Sequence, residues 1–288
     1  MNSPGLTGVY AAIVTPYYSA GQVDAGVVRT IARYLINEGL DCVAAAGTTG
    51  EFPALTREEK ATVVRSACEA AGEEGRVVGG VWAMDPAERV ALAVEAAAHG
   101  AHAVFLTTPI GTKPAVADLV EWYRTTKRGS SLPVYGYSIP QLTGYDLPVS
   151  VLEALAADGT LAGCKDSSSD FSRVDGLLRA FKGRLAIFAG SEGTFADARR
   201  AGAAGFISGL ANVFPRTVRA VWNGDAAAAT RLLTIKEIVR RCGGIAAIKY
   251  LLALRGFAVG PVRPPLLPVS AEARTDLERL EKEYGKGL

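Results

Sequence analysis

Histidine is nearly missing from this chain: His99 and His102 are the only two in 288 residues. A zinc or non-haem iron site would have to lean on both, and both fall where a helical pattern ends, so a metal site and histidine-based catalysis are not expected. Cysteine is scarce too. Cys42, Cys68, Cys164 and Cys242 show no paired spacing, which speaks against a disulfide framework or a cysteine-rich metal centre and makes the reducing cytoplasm the default compartment. Charge of one sign is not in excess, with 31 basic against 29 acidic residues and a net charge of +2. Without a dense Lys/Arg cluster there is no electrostatic footprint for nucleic acid. No uninterrupted apolar run reaches the roughly 18 residues that a membrane span needs. Met1 to Thr7 lack the charged-then-apolar order of a signal peptide, so no membrane partner is expected.

What is present is apolar and regular. Hydrophobic residues make up 49% of the chain, and a chain this long buries roughly three quarters of its unfolded surface. Short apolar blocks recur at Val9–Val14, Cys42–Ala46, Arg76–Val81, Ala103–Thr107, Pro133–Tyr137, Leu161–Cys164, Leu185–Ala189 and Gly205–Ser208. Their continuous apolarity predicts strands buried on both faces, as in a parallel sheet.

Longer segments with helical periodicity lie between them. Thr56-Arg57-Glu58-Glu59 reads as a capping box, and Asp85-Pro86-Ala87-Glu88 sets a proline at the first helical position. Val27, Ile31, Tyr34 and Leu35 follow one buried helix face, as do Leu177, Leu178 and Phe181, while Gly39, Gly72 and Gly100 are placed to stop helices. Eight such alternations without a linker predict an α/β fold, a single (β/α)8 TIM barrel over residues 1–224. Helical patterns at Asp225–Arg241, Ile245–Arg255 and Ala271–Lys282 predict a C-terminal helical extension, residues 225–288, packed on the barrel as one structural unit. A doubly wound open sheet is the alternative. The Gly-rich dinucleotide turn expected after its first strand is replaced here by Thr15-Pro16-Tyr17-Tyr18.

Barrels of this kind work at the C-terminal ends of their strands, which shortens the search for chemistry. Lys165 directly follows an apolar strand, so its stem enters the barrel mouth. Burial there disfavours the charged form of an amine, and a neutral amine can attack a carbonyl and form a Schiff base. Taken alone it is equally a loop lysine reaching for water. Lys60, Lys113, Lys127, Lys182, Lys236, Lys282 and Lys286 fall in helical or polar surface stretches, and Lys249 in an apolar helical run. Gly47-Thr48-Thr49-Gly50 sets two hydroxyls and free backbone N–H groups where a carboxylate or phosphate could bind, although an ordinary tight turn has the same letters. Tyr137 could exchange a proton at the mouth or simply satisfy its hydroxyl in the core. Glu51 reads as a helix-dipole partner. Together, an amine, a phenol and an anion nest suit a 2-oxo acid, with its carboxylate in the nest and its keto carbon against the lysine.

With these residues in place the sequence resembles the pyruvate-dependent class I aldolase family that includes dihydrodipicolinate synthase and N-acetylneuraminate lyase. The matching pieces are Gly47-Thr48-Thr49-Gly50-Glu51, Tyr137-Ser138-Ile139-Pro140 with Thr143-Gly144, and Gly163-Cys164-Lys165-Asp166. Ala189-Gly190-Ser191, Ala211-Asn212-Val213 and Gly260-Pro261-Val262-Arg263-Pro264-Pro265-Leu266 follow in family order, so the likeness runs from about Gly8 to Leu267.

The resemblance implies that Lys165 forms the Schiff base, that Tyr137 is the general acid/base, and that Thr48 and Thr49 hold the substrate carboxylate, with Thr48 also relaying a proton to Tyr137. It implies that the carbonyls of Gly190 and Ile207 line the site, that no metal or organic cofactor is used, and that the chain is a homo-oligomer, a tetramer built from tight dimers or a dimer. Two departures weigh against dihydrodipicolinate synthesis. Leu142 stands where those enzymes usually carry an arginine, and no phenol stands near Ile110–Gly111. The segment from Tyr137 to Pro148 followed by Lys165-Asp166-Ser167 is most similar to 4-hydroxy-2-oxoglutarate and 2-keto-3-deoxy sugar-acid aldolases. The expected function is therefore a lyase that splits a 2-oxo-4-hydroxy acid into pyruvate and an aldehyde, or joins them. The alternatives are a dihydrodipicolinate synthase that condenses pyruvate with aspartate semialdehyde, a 2-keto-3-deoxy sugar-acid dehydratase, or a non-catalytic sugar-acid-binding sensor. Contacts to the aldehyde half are expected around Leu142, Ser167 and Ile110.

Overall fold

The computed structural model describes residues 6–285; most of the amino-terminal stretch read for a leader, and Lys286, lie outside them. Each of the eight short apolar blocks forms a strand: β1 Gly8–Ala12, β2 Cys42–Ala45, β3 Arg76–Gly80, β4 Ala103–Thr107, β5 Val134–Ser138, β6 Leu161–Asp166, β7 Ala186–Ala189 and β8 Gly205–Ser208. The strands pair in parallel and in sequence order, and β1 closes on β8 through Val9 opposite Phe206 and Tyr10 opposite Ile207. The result is a closed (β/α)8 barrel.

Apolar side chains on both faces of the strands create two cores. Inside the barrel Tyr10, Ala44, Val78, Phe105, Tyr135 and Phe188 interdigitate, leaving a void of about 20 Å³ beside Lys165, so the barrel is packed and has no channel. Outside it, residues such as Val9, Val43, Val104 and Cys164 face the helices. Burying one large aliphatic side chain in such a layer contributes roughly 1.5–3 kcal/mol. Leu35 and Ile31 from helix Ala25–Asn37 do this, with Val28, Ala32 and Ile36; Val27 and Tyr34 lie at the half-buried margin of that face.

The local signals hold. Thr56 Oγ1 accepts from Glu59 N at 3.2 Å while Thr56 N donates to Glu59 Oε2 at 3.0 Å. Asp85 caps the helix opened by Pro86, and Gly39, Gly72 and Gly100 stop their helices at positive φ. After the barrel come helices Ala226–Arg241, Ile245–Leu254 and Ala271–Tyr284. The last is held to the loop after the second by Arg255, which donates to both carboxylate oxygens of Glu281 at 2.9 and 3.0 Å. Among the described residues no helix is long and apolar enough to cross a membrane.

Candidate active site

Lys165, expected directly after the apolar block, is the penultimate residue of a strand that runs on to Asp166. Its inward direction depends on a bulge. Val134 of β5 pairs with Leu161 and Tyr135 with Gly163, so Ala162 is an extra residue on β6. Leu161 and Cys164 face the helices, whereas Ala162 packs against the inner cluster. Strict alternation from Leu161 through Ala162 would send residue 165 outward; the bulge takes Ala162 out of the ladder, so Lys165 stays opposite Tyr137 and faces into the barrel. Gly163 makes this possible. A Cβ there would lie 2.3 Å from Ala186 O and 2.4 Å from the Tyr135 ring.

Past the bulge the register is regular, with Tyr137 opposite Lys165 and Thr107 opposite Tyr137. Lys165 is 8% exposed, with its Nζ 4.1 Å from the centroid of the Tyr137 ring. No carboxylate lies within 4.0 Å of it among the described residues. The adjacent Asp166 points the other way and accepts from Arg173 Nε at 2.7 Å. The same guanidinium donates to Leu147 O at 2.7 Å, tying the loop after β5 to the end of β6.

The Tyr137 and Thr48 hydroxyls share a hydrogen bond of 3.2 Å, joining β5 to the turn after β2. Thr15 Oγ1 donates to Gly50 O at 2.6 Å and Glu51 N to Thr48 O at 2.9 Å, which fixes that turn. The N–H groups of Thr48 and Thr49 donate to no group among the described residues and are available to an anion. Thr48, Thr49, Tyr137, Lys165, Gly190 and Ile207 all line one cleft of about 270 Å³ at the C-terminal mouth. A Cβ on Gly190 would stand 2.7 Å from Lys165 Cε and 2.1 Å from Ser167 Oγ, so glycine lets its backbone approach the amine.

Four expectations need correction. Glu51 caps no helix with its side chain; it is buried and paired with Lys249 Nζ at 2.8 Å, and it accepts from Arg263 N at 2.7 Å. Lys60 is a buried lysine against the Trp82 ring, and desolvation pushes its ammonium below the usual range. Lys236, assigned to the surface by its helical stretch, lines the cleft and donates to Ser191 Oγ at 3.0 Å. Of the three positions expected at the aldehyde end, Ser167 lines the cleft, while Leu142 packs against the inner cluster and Ile110 is outside the lining. Sequence reasoning missed Glu192 and Lys236. Glu192, one residue beyond the Ala189-Gly190-Ser191 motif, was within reach of the reading; nothing in the sequence marks Lys236.

A half-hidden amine opposite a phenol, at the working end of a closed parallel barrel, defines an aldolase-type enzyme of the barrel class. The chain belongs to the dihydrodipicolinate synthetase family, whose profile matches residues 5–284. It is 36% identical over 282 residues to an uncharacterized DapA-like lyase of Halobacterium salinarum, covering 95% of this chain and 92% of that one. It is 32% identical to the 4-hydroxy-tetrahydrodipicolinate synthase of Mycolicibacterium paratuberculosis, over 94% of this chain and 93% of the relative. Its fold superposes with a TM-score of 0.91, at 27% identity and over 97% and 99% of the two chains, on dihydrodipicolinate synthase from Acinetobacter baumannii complexed with pyruvate.

Proposed function

We propose that this enzyme is a Schiff-base lyase that cleaves, or in reverse forms, a 2-oxo-4-hydroxy acid to give pyruvate and an aldehyde. The observation that carries the reading is Lys165: buried at the mouth, without a carboxylate partner, and on the same rung as a tyrosine bonded to Thr48.

Lys165 Nζ attacks the C2 carbonyl, and loss of water leaves a protonated imine. The C3–C4 bond then breaks, its electron pair flowing into the imine to give a neutral enamine. Tyr137 takes the proton of the C4 hydroxyl as that oxygen becomes the aldehyde, and returns a proton to C3. Water hydrolyses the imine, freeing pyruvate and Lys165. Thr48 and Thr49 hold the substrate carboxylate through hydroxyl and N–H donors, which fixes the keto carbon in reach. Thr48 also relays the proton with Tyr137, and the Gly190 and Ile207 carbonyls line the site near the lysine. Each assisted proton transfer contributes about 10²–10⁴-fold. No metal or organic cofactor is required by this scheme. From its scattered, unpaired cysteines we place the enzyme in the cytoplasm, and from the family resemblance as a homo-oligomer, a tetramer or dimer.

Borohydride added with pyruvate is expected to fix a three-carbon adduct on Lys165, read by peptide mass, and Lys165→Ala to lose it together with turnover. An unlabelled Lys165 peptide overturns the reading. Tyr137→Phe is expected to keep the adduct while turnover falls about 10²–10⁴-fold. Product analysis then separates cleavage from dehydration, in which the hydroxyl leaves and no aldehyde appears, and from condensation with a second aldehyde.

A further inference from the structure

The cleft continues past Lys165 along one wall. Ser167 Oγ is buried without a hydrogen-bond partner and stands beside the Gly190 backbone and the Lys165 stem. Outside the lining the Ser191 and Ser169 hydroxyls lie 2.8 Å apart, and Lys236 Nζ on helix Ala226–Arg241, itself in the lining, donates to Ser191 Oγ at 3.0 Å. That ammonium has no carboxylate within 4.0 Å among the described residues. Glu192, the acid in the lining, accepts from Ser208 Oγ at 2.7 Å, and Glu237, next to Lys236 on its helix, pairs with Arg240 at 2.6 and 3.2 Å. Of the cations lining the cleft, Lys165 and Lys236 are thus the two without an acid, one at the inner end and one at the rim.

We infer that Lys236 determines specificity by binding an anionic group at the far end of the substrate, with the Ser167 hydroxyl facing the chain between. The substrate class is then a hydroxylated 2-oxo acid with a second, terminal anion. The inference rests on the Schiff-base reading above and deepens it. A neutral aldehyde half would leave the Lys236 charge unpaired over the bound chain. A terminal anion supplies the acid that the protein withholds, and charge-assisted hydrogen bonds are the strong ones.

The test compares three substrates of matched carbon chain: a 4-hydroxy-2-oxo diacid, the 2-keto-3-deoxy acid with a neutral polyol tail, and the terminal phosphate ester of the latter. The wild-type enzyme is expected to prefer an anionic tail, and the two anionic arms tell carboxylate from phosphate. Lys236→Gln is expected to lower kcat/KM for the anionic tail about 10- to 100-fold, mainly through KM, and to leave the neutral one within about twofold. Lys236→Arg is expected to restore most of the loss. Equal use of charged and neutral tails by the wild type, or a Gln variant that slows all three alike, overturns the inference. Borohydride labelling with pyruvate separates the levels. A labelled Lys165 with no tail preference sinks only the Lys236 assignment, whereas an unlabelled Lys165 sinks the lyase reading and this one with it.

Discussion

Lys165 shares the cleft with Thr48 and Thr49, whereas Lys249 pairs with Glu51 just after that turn, and both lysines are buried, at 8% and 2% exposure. Each has its Nζ 4.1 Å from the centroid of a tyrosine ring, Tyr137 in one case and Tyr17 in the other. Their remaining surroundings differ. Lys249 meets Glu51 at 2.8 Å and donates to Pro261 O at 2.7 Å, so its charge is spent on joining the C-terminal helices to the turn after β2. Lys165 meets no acid and opens on the cleft. Lys60 supplies a third case, buried with no carboxylate within 4.0 Å among the described residues but sealed against Trp82, away from the cleft. Burial alone therefore does not single out a nucleophile. A free charge, an open face and a neighbouring phenol do so together.

The comparison breaks most readily at Lys249. Lys249→Met leaves Glu51 buried and unpaired, which is expected to cost about 3–5 kcal/mol, read by urea unfolding. Joining it with Glu51→Leu should recover most of that loss. A single variant costing under about 1 kcal/mol would show that the pair is not a structural joint.

A smaller free-energy effect, seen in turnover, is expected at Gly163. Gly163→Ala must push Lys165 off its line, because the new Cβ meets Ala186 O and the Tyr135 ring. Misplacement by about 1 Å costs on the order of 10²-fold in rate, to be measured as kcat with a native circular dichroism spectrum; unchanged kcat would remove the bulge from the account.

The smallest effect concerns the clamp next to Lys249. The Arg263 guanidinium holds the Glu59 carboxyl below its ordinary value of 4.5. A depressed carboxyl stabilises the fold in full above that ordinary value and loses its contribution as pH falls through the lowered one. Glu59→Gln should flatten the acid limb of the stability–pH curve, by at most about 1 kcal/mol for so accessible a pair. An identical acid limb in both proteins would exclude the clamp.

The barrel was legible because it is written in repeated, local signals. Continuous apolar blocks, a capping box at Thr56 and stops at Gly39, Gly72 and Gly100 need no knowledge of distant residues. The cleft was legible in its chemistry: the residues expected from motif order, Lys165, Tyr137, Thr48, Thr49, Gly190 and Ile207, do converge on it. What escaped reading are pairings across long sequence separations. Glu51 finds Lys249, and Lys236 finds Ser191, only once the chain has closed. Lys60 looked exposed because its own stretch is polar; Trp82, which covers it, comes from another element. The β6 bulge had a faint local sign, Gly163 inside an apolar strand, but its meaning needed the β5 partner.

That one surplus position behaves like a half-twist added to a ribbon. Ala162 makes the strand one letter longer than its neighbour requires, and the kink takes up the surplus so that the rungs beyond it stay in step. Flatten the kink with the letter left in, and the same amine would be aimed at the greasy shell beneath the helices while Cys164 looked into the chamber; excise letter and kink together, and the amine would still face the phenol. The place where one strand absorbs its excess, with no change of side chain, is therefore enough to separate a working barrel from a silent one.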